Sequence, residues 1–333
     1  MDLTLVPDLA ELRAQVAAAD AVLPVGGRTQ WEVGGDAPEG VEVRAPAGIL
    51  TYDPADLTVT VGAGTSIREL ADALGEAGQE CALDPRDPDA TVGGVLAVGL
   101  SGLRRLAYGP LRDRVLEVRF VAADGRMVRG GGPTVKNVTG YDLPRLLVGS
   151  FGTIGVLTQV ILRCQPRASR STWSASDRDP DAVRRDCFRP ACVAWDGRTT
   201  RVLLEGHPDD VAAQERAAGL ERVDTAPDWP AGPHGGRISV VAARIPAVAR
   251  ALDAVPGLRW MAEVGVGTVH VASDGVDALA AAREYATAAG GWLLREAGDL
   301  EPFGPPIRNA ALMRRIRDAF DPTGKMNPGR LPW

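Results

Sequence analysis

The chain has 333 residues, of which 45% are hydrophobic and 24% charged, with a formal net charge of −6 at pH 7. This is ordinary globular composition, long enough for one large or two ordinary domains, each with its own core. The acidic balance excludes a general nucleic-acid or anionic-membrane surface, which needs clustered positive charge; Lys136 and Lys325 are the only lysines.

In chain order, residues 7–20 place Leu9, Leu12 and Val16 at helical spacing and predict an amphipathic helix. Residues 21–25 read as a short strand. The loop PVGGRTQWEVGG at 24–35 then gathers four glycines and a proline around Arg28, Thr29 and Gln30. Glycine lets a backbone approach a ligand closely, so this loop is expected to lie against one. Residues 57–64 alternate as a strand. Residues 66–78 form a helix that opens on Ser66 and Glu69 at capping-box spacing and ends at Gly78. Residues 115–132 are two strands joined at Asp124-Gly125. Residues 141–164 read as a helical turn, a glycine corner and a β-branched strand. The sum is an α+β pattern rather than regular βαβ alternation.

Residues 169–190 are polar and poor in aromatics, which marks a domain boundary. From 201 to 296 strands and helices alternate, predicting a small α/β-sandwich with helices on one face of an antiparallel sheet; residues 225–237 are its exposed loop. The tail is an amphipathic helix halted at Asp321-Pro322, then an extended Pro/Gly segment. The expected organisation is residues 1–168, 169–300 as a cap, and 301–333 returning to the first domain.

Cys81, Cys164, Cys187 and Cys192 form no C-x-x-C pair, and His207, His234 and His270 are spread apart, so local spacing assembles no zinc or iron–sulfur ligand set. The cysteines read as buried free thiols of a reducing compartment. The first residues lack a signal-peptide pattern, and no apolar run approaches the ~20 residues of a membrane span. The expectation is a cytoplasmic protein that meets a membrane only through a complex, in which the sequon at 137–139 carries no glycan.

Glycine clusters suggest a nucleotide, but two familiar patterns fail. The GAGTSI stretch at 62–67 has Ile67 where a Rossmann fingerprint needs its third glycine, and GKM at 324–326 lacks the rest of a P-loop. Dispersed glycine turns remain, at Gly26-Gly27, Gly34-Gly35, Gly93-Gly94, Gly149 and from Gly152 to Gly155. Each can aim main-chain N–H groups into a shared anion-binding concavity. At about 1.5–3 kcal/mol per hydrogen bond to a charged oxygen, several together hold a pyrophosphate without any lysine.

The stretches PVGGRTQWEVGG, TVTVGAGTSIRELADAL, DPDATVGGVLAVGLSG, YGPLRDRVLEVRFVAADG, KNVTGYDLPRLLVGSFGTIGVLTQVILR and FDPTGKMNPGRL occur in the order found in FAD-linked oxidases of the vanillyl-alcohol oxidase/p-cresol methylhydroxylase (PCMH-type) family. Within it the chain resembles the glycolate oxidase FAD-binding subunits. The resemblance runs from about residue 23 to 166 and returns in the tail.

It implies a PCMH-type FAD-binding domain of two α+β subdomains, followed by the small cap. Pro24, Val25, Gly26, Gly27, Arg28, Thr29 and Gln30 are similar to the loop that wraps the FAD pyrophosphate. Thr91, Val92, Gly93 and Gly94 resemble the second flavin-lining turn. Gly109, Arg112 and Asp113 match an element beside the pocket; Asp113 also reads as a turn cap or an ion-pair partner. Gly152, Thr153, Gly155 and Val156 match the corner that meets the adenine, and Asn327 the segment that folds back toward the isoalloxazine. Members with a tethered flavin carry His just after the loop glycines; Arg28, Thr29 and Gln30 stand there, so FAD is expected to be noncovalent. Larger relatives place Arg and His residues of the cap against substrate. Here only His270 stands in a faintly similar place as a weak candidate for a catalytic base, because a lone His flanked by valines is more often a packed or hydrogen-bonded strand residue; Arg244 and Arg259 are the candidate carboxylate clamps.

The implied reaction is oxidation of a small 2-hydroxy acid, glycolate to glyoxylate leading. Electrons would pass to a second, larger FAD-linked oxidase subunit and an iron–sulfur subunit. The competing reading is a noncatalytic FAD-holding relay or scaffold subunit of the same complex. A third keeps the fold and changes the substrate, to an alditol or a lipid precursor.

Overall fold

The computed structural model describes residues 7–37, 39–133, 141–305, 307 and 309–332; the sequon at 137–139 and Lys136 lie outside them. The helix Pro7–Ala18 buries Leu12 and Val16 against a parallel two-stranded sheet, Val22–Pro24 with Val41–Val43. Beside this small layer lies an antiparallel sheet of five strands in the order Ile49–Asp53, Thr58–Gly62, Val156–Arg163, Val115–Val121 and Met127–Gly131. Helices Ile67–Gly75 and Val92–Val98 cover it through Leu70, Leu74, Val95 and Leu96.

Local chemistry explains these elements. Ser66 accepts from the Glu69 N–H while the Glu69 carboxylate accepts from the Ser66 N–H, a closed capping box that starts the Ile67–Gly75 helix. Its end is marked by Gly78 at φ +64°. Thr91 caps the Val92–Val98 helix by accepting from Gly94 N–H. Asp124-Gly125 turns the hairpin between Val115–Val121 and Met127–Gly131, with Gly125 at φ +79°.

The second half is built on an eight-stranded, wholly antiparallel sheet spanning Arg170–Ser176 to Trp292–Ala297. Helices Pro180–Asp186, Pro208–Ala217, Ile245–Asp253 and Val276–Ala288 pack on one face through Val183, Val211, Ile245, Leu252 and Leu279. The opposite face meets the first half through Leu103 and Ala107 against Cys192, Leu203 and Met261. The polar stretch 169–190, expected to mark a domain boundary, holds the first strand of this sheet, Arg170–Ser176, and the helix Pro180–Asp186 packed on it, whose outward side chains give the stretch its polarity. Likewise, the end of the expected loop 225–237 is the strand His234–Ser239.

The tail crosses back over the first half. After the helix Ala310–Phe320, Val22 N–H donates to Lys325 C=O (2.9 Å) and Asn327 N–H to Val22 C=O (2.8 Å), adding a parallel bridge to the two-stranded sheet. No helix among the described residues is long and apolar enough to cross a membrane.

Candidate active site

A cleft runs between the glycine loop and the tail. One part, about 550 Å³, is lined by Pro24, Gly26 to Trp31, Thr91, Gly94, Gly152, Asn327 and Arg330. It continues past Pro24, Gly26, Thr91, Gly94 and Gly152 into a second part of about 470 Å³, reaching Val25, Gly93, Ser150, Gly155 and Val156. Dispersed sequence motifs thus share one concavity.

The loop's main chain explains the glycines. Val25 N–H donates to Val43 C=O and Trp31 N–H to Arg28 C=O, but the N–H groups of residues 26 to 30 have no acceptor among the described residues. Arg28 sits at φ +57°, the left-handed backbone found in main-chain anion-binding turns, and residues 26 to 30 line the cleft. Close approach requires the glycines: a Cβ on Gly26 would lie 2.2 Å from Thr91 Oγ1, and one on Gly27 2.7 Å from the Asp89 carbonyl oxygen. Gln30 Oε1, Ser150 Oγ, Asn327 Oδ1 and Arg330 Nε are buried around the cleft without a partner. Native interiors rarely leave such atoms unpaired, so they call for a polar ligand.

Positive charge gathers here without lysine. Trp31 lies between two guanidiniums, Arg330 at 4.3 Å and Arg28 at 5.0 Å from its ring centroid. Arg28 also pairs with Glu42. Arg330 donates to the carbonyls of Trp31 (2.7 Å) and Gly35 (2.8 Å) and pairs with no carboxylate among the described residues. Asn327 Nδ2 donates to Phe151 C=O at 2.6 Å, fixing the tail against the glycine corner.

Other sequence candidates lie behind or apart. Val92 is buried under the second turn, and Thr153 is turned to Ser150 C=O at 2.7 Å. Gly109, Arg112 and Asp113 are not on the cleft wall. Arg112 and Asp113 are half-exposed and face each other at 3.9 Å, as a turn-side ion pair would.

A larger chamber, about 1150 Å³, adjoins the cleft through Arg28 to Val33 and extends under the second half to Arg86, Ser101, Trp229, Arg237 and Glu296. Arg86 comes from the segment before Thr91, Arg237 from the strand His234–Ser239, and Glu296 from Trp292–Ala297. Glu296 Oε2 forms an ion pair with Arg86 Nη2 and Oε1 accepts from Arg237 Nε, both at 2.9 Å. Arg237 Nη1 donates to Ser101 C=O at 2.9 Å, and the Arg86 guanidinium stacks on Trp229 at 4.1 Å.

His270 is not on the chamber wall. It is 1% exposed, behind Arg86 and edge-on to Trp229. Arginine has no acceptor, so the 2.9 Å contact with Arg86 Nη2 makes Nδ1 the acceptor. The hydrogen therefore sits on Nε2, which donates to Glu263 Oε1 at 2.7 Å. Burial, with the charges of Arg237 and Arg86, pushes its pKa well below the usual value and keeps the ring neutral. With both nitrogens engaged, His270 cannot take a proton from substrate, which corrects the expectation of a base there. Arg259 pairs with Asp274 and Arg244 is exposed; neither lines the chamber.

Sequence reasoning missed Arg86, Trp229, Arg237, Glu296 and Arg330. Arg86 and Trp229 stand among prolines in segments that read as loop, and the other three come together only through the sheet and the returning tail. The one available signal was Arg86, which lies five residues before Thr91.

Residues 5–131 match the FAD_binding_4 family, described as an FAD binding domain. The chain is 43% identical over 133 residues to glycolate oxidase subunit GlcE of Escherichia coli, covering 39% of this chain and 38% of that protein. It is 41% identical over 118 residues to a D-lactate dehydrogenase of Archaeoglobus fulgidus (35% of this chain, 27% of that one). Glycolate oxidase subunit GlcD of Bacillus subtilis is 39% identical over 120 residues (36% and 26%). The matched segments thus span about a quarter to two-fifths of these relatives. Alkyldihydroxyacetonephosphate synthase superposes on 96% of the chain and 74% of its own length with a TM-score of 0.69 at 13% identity, which shows the shared fold. The unpaired N–H groups and the buried orphan acceptors of the cleft fit a diphosphate and a hydroxylated, imide-bearing cofactor such as FAD.

Proposed function

We propose that this chain, similar over residues 5–131 to FAD binding domains of the FAD_binding_4 family, is a PCMH-type FAD-dependent oxidoreductase of small 2-hydroxy acids, a subunit of a glycolate oxidase complex that converts glycolate to glyoxylate. What carries this reading is the pair Arg86 and Arg237 in a chamber that opens onto the cofactor cleft. The N–H run of residues 26 to 30 would hold the diphosphate, with Thr91, Gly93 and Gly94 on one side and Gly152, Gly155 and Val156 on the other. Gln30 and Asn327 offer buried acceptors to the rest of the cofactor.

When bound, FAD supplies the two-electron acceptor. The chain's own work is to receive the substrate carboxylate on Arg86 and Arg237, whose planar forks suit it. Trp31 and Trp229 wall the chamber and limit water. Because no His follows the loop glycines, we take the cofactor to be noncovalent; heat denaturation should release free FAD. We take the electrons to pass on to a second, larger flavoprotein subunit and an iron–sulfur subunit; the relatives' names, glycolate oxidase subunits GlcE and GlcD, support an assembly of more than one subunit.

The engaged His270 favours a second reading, a relay or scaffold subunit whose flavin never meets substrate. Anaerobic addition of glycolate or D-lactate to the flavin-loaded protein separates the two. Bleaching of the oxidised flavin band at about 450 nm supports oxidation here, and unchanged colour with flavin still bound supports the relay.

A further inference from the structure

The charges on the chamber wall bear on which 2-hydroxy acids it admits, an inference that rests on the oxidoreductase reading above. Two guanidiniums face the chamber, and one protein carboxylate already sits between them, each oxygen taken by one arginine. Glu296 and Arg237 are nearly buried, with side chains 11% and 10% exposed, so solvent screens their pair weakly, whereas Arg86 is 41% exposed. Arg86 Nε and Nη1 and Arg237 Nη2 have no partner among the described residues, so donors remain for a ligand.

Nearby charges leave this balance unchanged. His270 is neutral, and Glu263 lies behind it, away from the chamber. Asp84 is paired with Arg104 and Arg28 with Glu42. Arg105 lies off the chamber wall, and Glu32 and Asp87 are exposed on its rim, where solvent screens them. The cluster of Arg86, Arg237 and Glu296 carries one net positive charge. One substrate carboxylate neutralises it, and a second would meet Glu296 with no cation left.

We propose that Glu296 confines the chamber to monocarboxylic 2-hydroxy acids, by occupying half of the cationic capacity of Arg86 and Arg237. Selection of this kind works by a built-in repulsion against the wrong ligand rather than by an extra contact to the right one. Glu296 is in this sense a specificity-determining residue, and the arginines are what it tunes.

Two redox-inert acids isolate binding from turnover. Neither 2-hydroxyisobutyrate nor citramalate has a hydrogen on the carbinol carbon, and citramalate differs by one added carboxylate. Their dissociation constants are read from the perturbation of the bound flavin's visible spectrum in the flavin-loaded full chain. The parent should bind 2-hydroxyisobutyrate about 30-fold more tightly than citramalate, a difference of ~2 kcal/mol. Glu296→Gln should bring the two within about threefold, chiefly by tightening citramalate, as expected when one opposing charge is removed. A parent that binds both acids within threefold overturns the proposal without any variant. So does a ratio left unchanged by Glu296→Gln, or by Glu296→Met where the amide does not fold. Bleaching by D-lactate with an unaltered ratio removes only this proposal. No spectral response to either acid and no bleaching by D-lactate removes the oxidoreductase reading with it.

Discussion

Substituting Gly27 by alanine adds one methyl group at the point where the glycine loop crosses the second turn. That Cβ would lie 2.7 Å from the Asp89 carbonyl oxygen, whereas ordinary contact begins at 3.4 Å, so the loop must retreat by the difference, 0.7 Å. The obstacle is backbone and cannot swing aside. The N–H donors of residues 26 to 30 move with the loop, away from the turn that completes the cleft. Each hydrogen bond to a charged oxygen is worth ~1.5–3 kcal/mol. Weakening one or two of them by about half raises the dissociation constant for FAD roughly 4- to 150-fold. Overpacking itself costs ~1–3 kcal/mol, which a typical domain survives. The assay is titration of deflavinated protein with FAD by quenching of flavin fluorescence, with a melting curve to show that the variant folds. Gly275→Ala is the control: its Cβ meets nothing within 4 Å, and its φ of −125° suits any residue. An FAD affinity for Gly27→Ala within threefold of the parent would refute the placement of the cofactor diphosphate on this loop.

Two further predictions concern stability. Burial pushes the Glu263 carboxyl up to about 7, above its usual value near 4.3, so folding favours its protonated form. Its stabilising contribution is complete below about pH 4.3 and is lost as pH rises through about 7. The melting temperature of the parent should therefore fall, relative to Glu263→Gln, between pH 5 and 8, and parallel curves would contradict the assignment. His270, whose depressed pKa acts in the opposite direction at low pH, is present in both proteins. Asp321 is 1% exposed and accepts from Met326 N–H (2.7 Å) and Thr323 Oγ1–H (2.9 Å). Asp321→Ala leaves the Met326 N–H buried without that partner, costing ~1–3 kcal/mol; the protein should melt lower and purify with less flavin, because Asn327 rides on the same segment. Unchanged melting and full colour would separate the tail from the cleft.

Much of the cofactor half was legible because its signals are local. Ser66 with Glu69, Asp124 with Gly125, and the glycine pairs each fix a cap, a turn or a close approach within a few residues. The chamber was not legible, because its chemistry depends on strand order. Arg237 and Glu296 face each other only since His234–Ser239 pairs with Trp292–Ala297 at the sheet edge, and no local pattern encodes that neighbour. His270 shows the same limit: its flanking valines announce a packed strand residue, but only the pairing of Leu258–Glu263 with Thr268–Ser273 reveals Glu263 as its partner. In the stretch 169–190 the strand itself was hidden for another reason. Its strand keeps Ser174 buried and hydrogen-bonded to Glu215, so a polar residue occupies an inward position that periodicity reserves for apolar ones.

The cleft closes through contacts between distant parts of the chain: Asn327 on Val22 and Phe151, and Arg330 on Trp31 and Gly35. The glycine loop and the turn at Thr91 thus precede in the chain the segment that seals them, so a truncation before Asn327 leaves the loop in place while removing the contacts that close it.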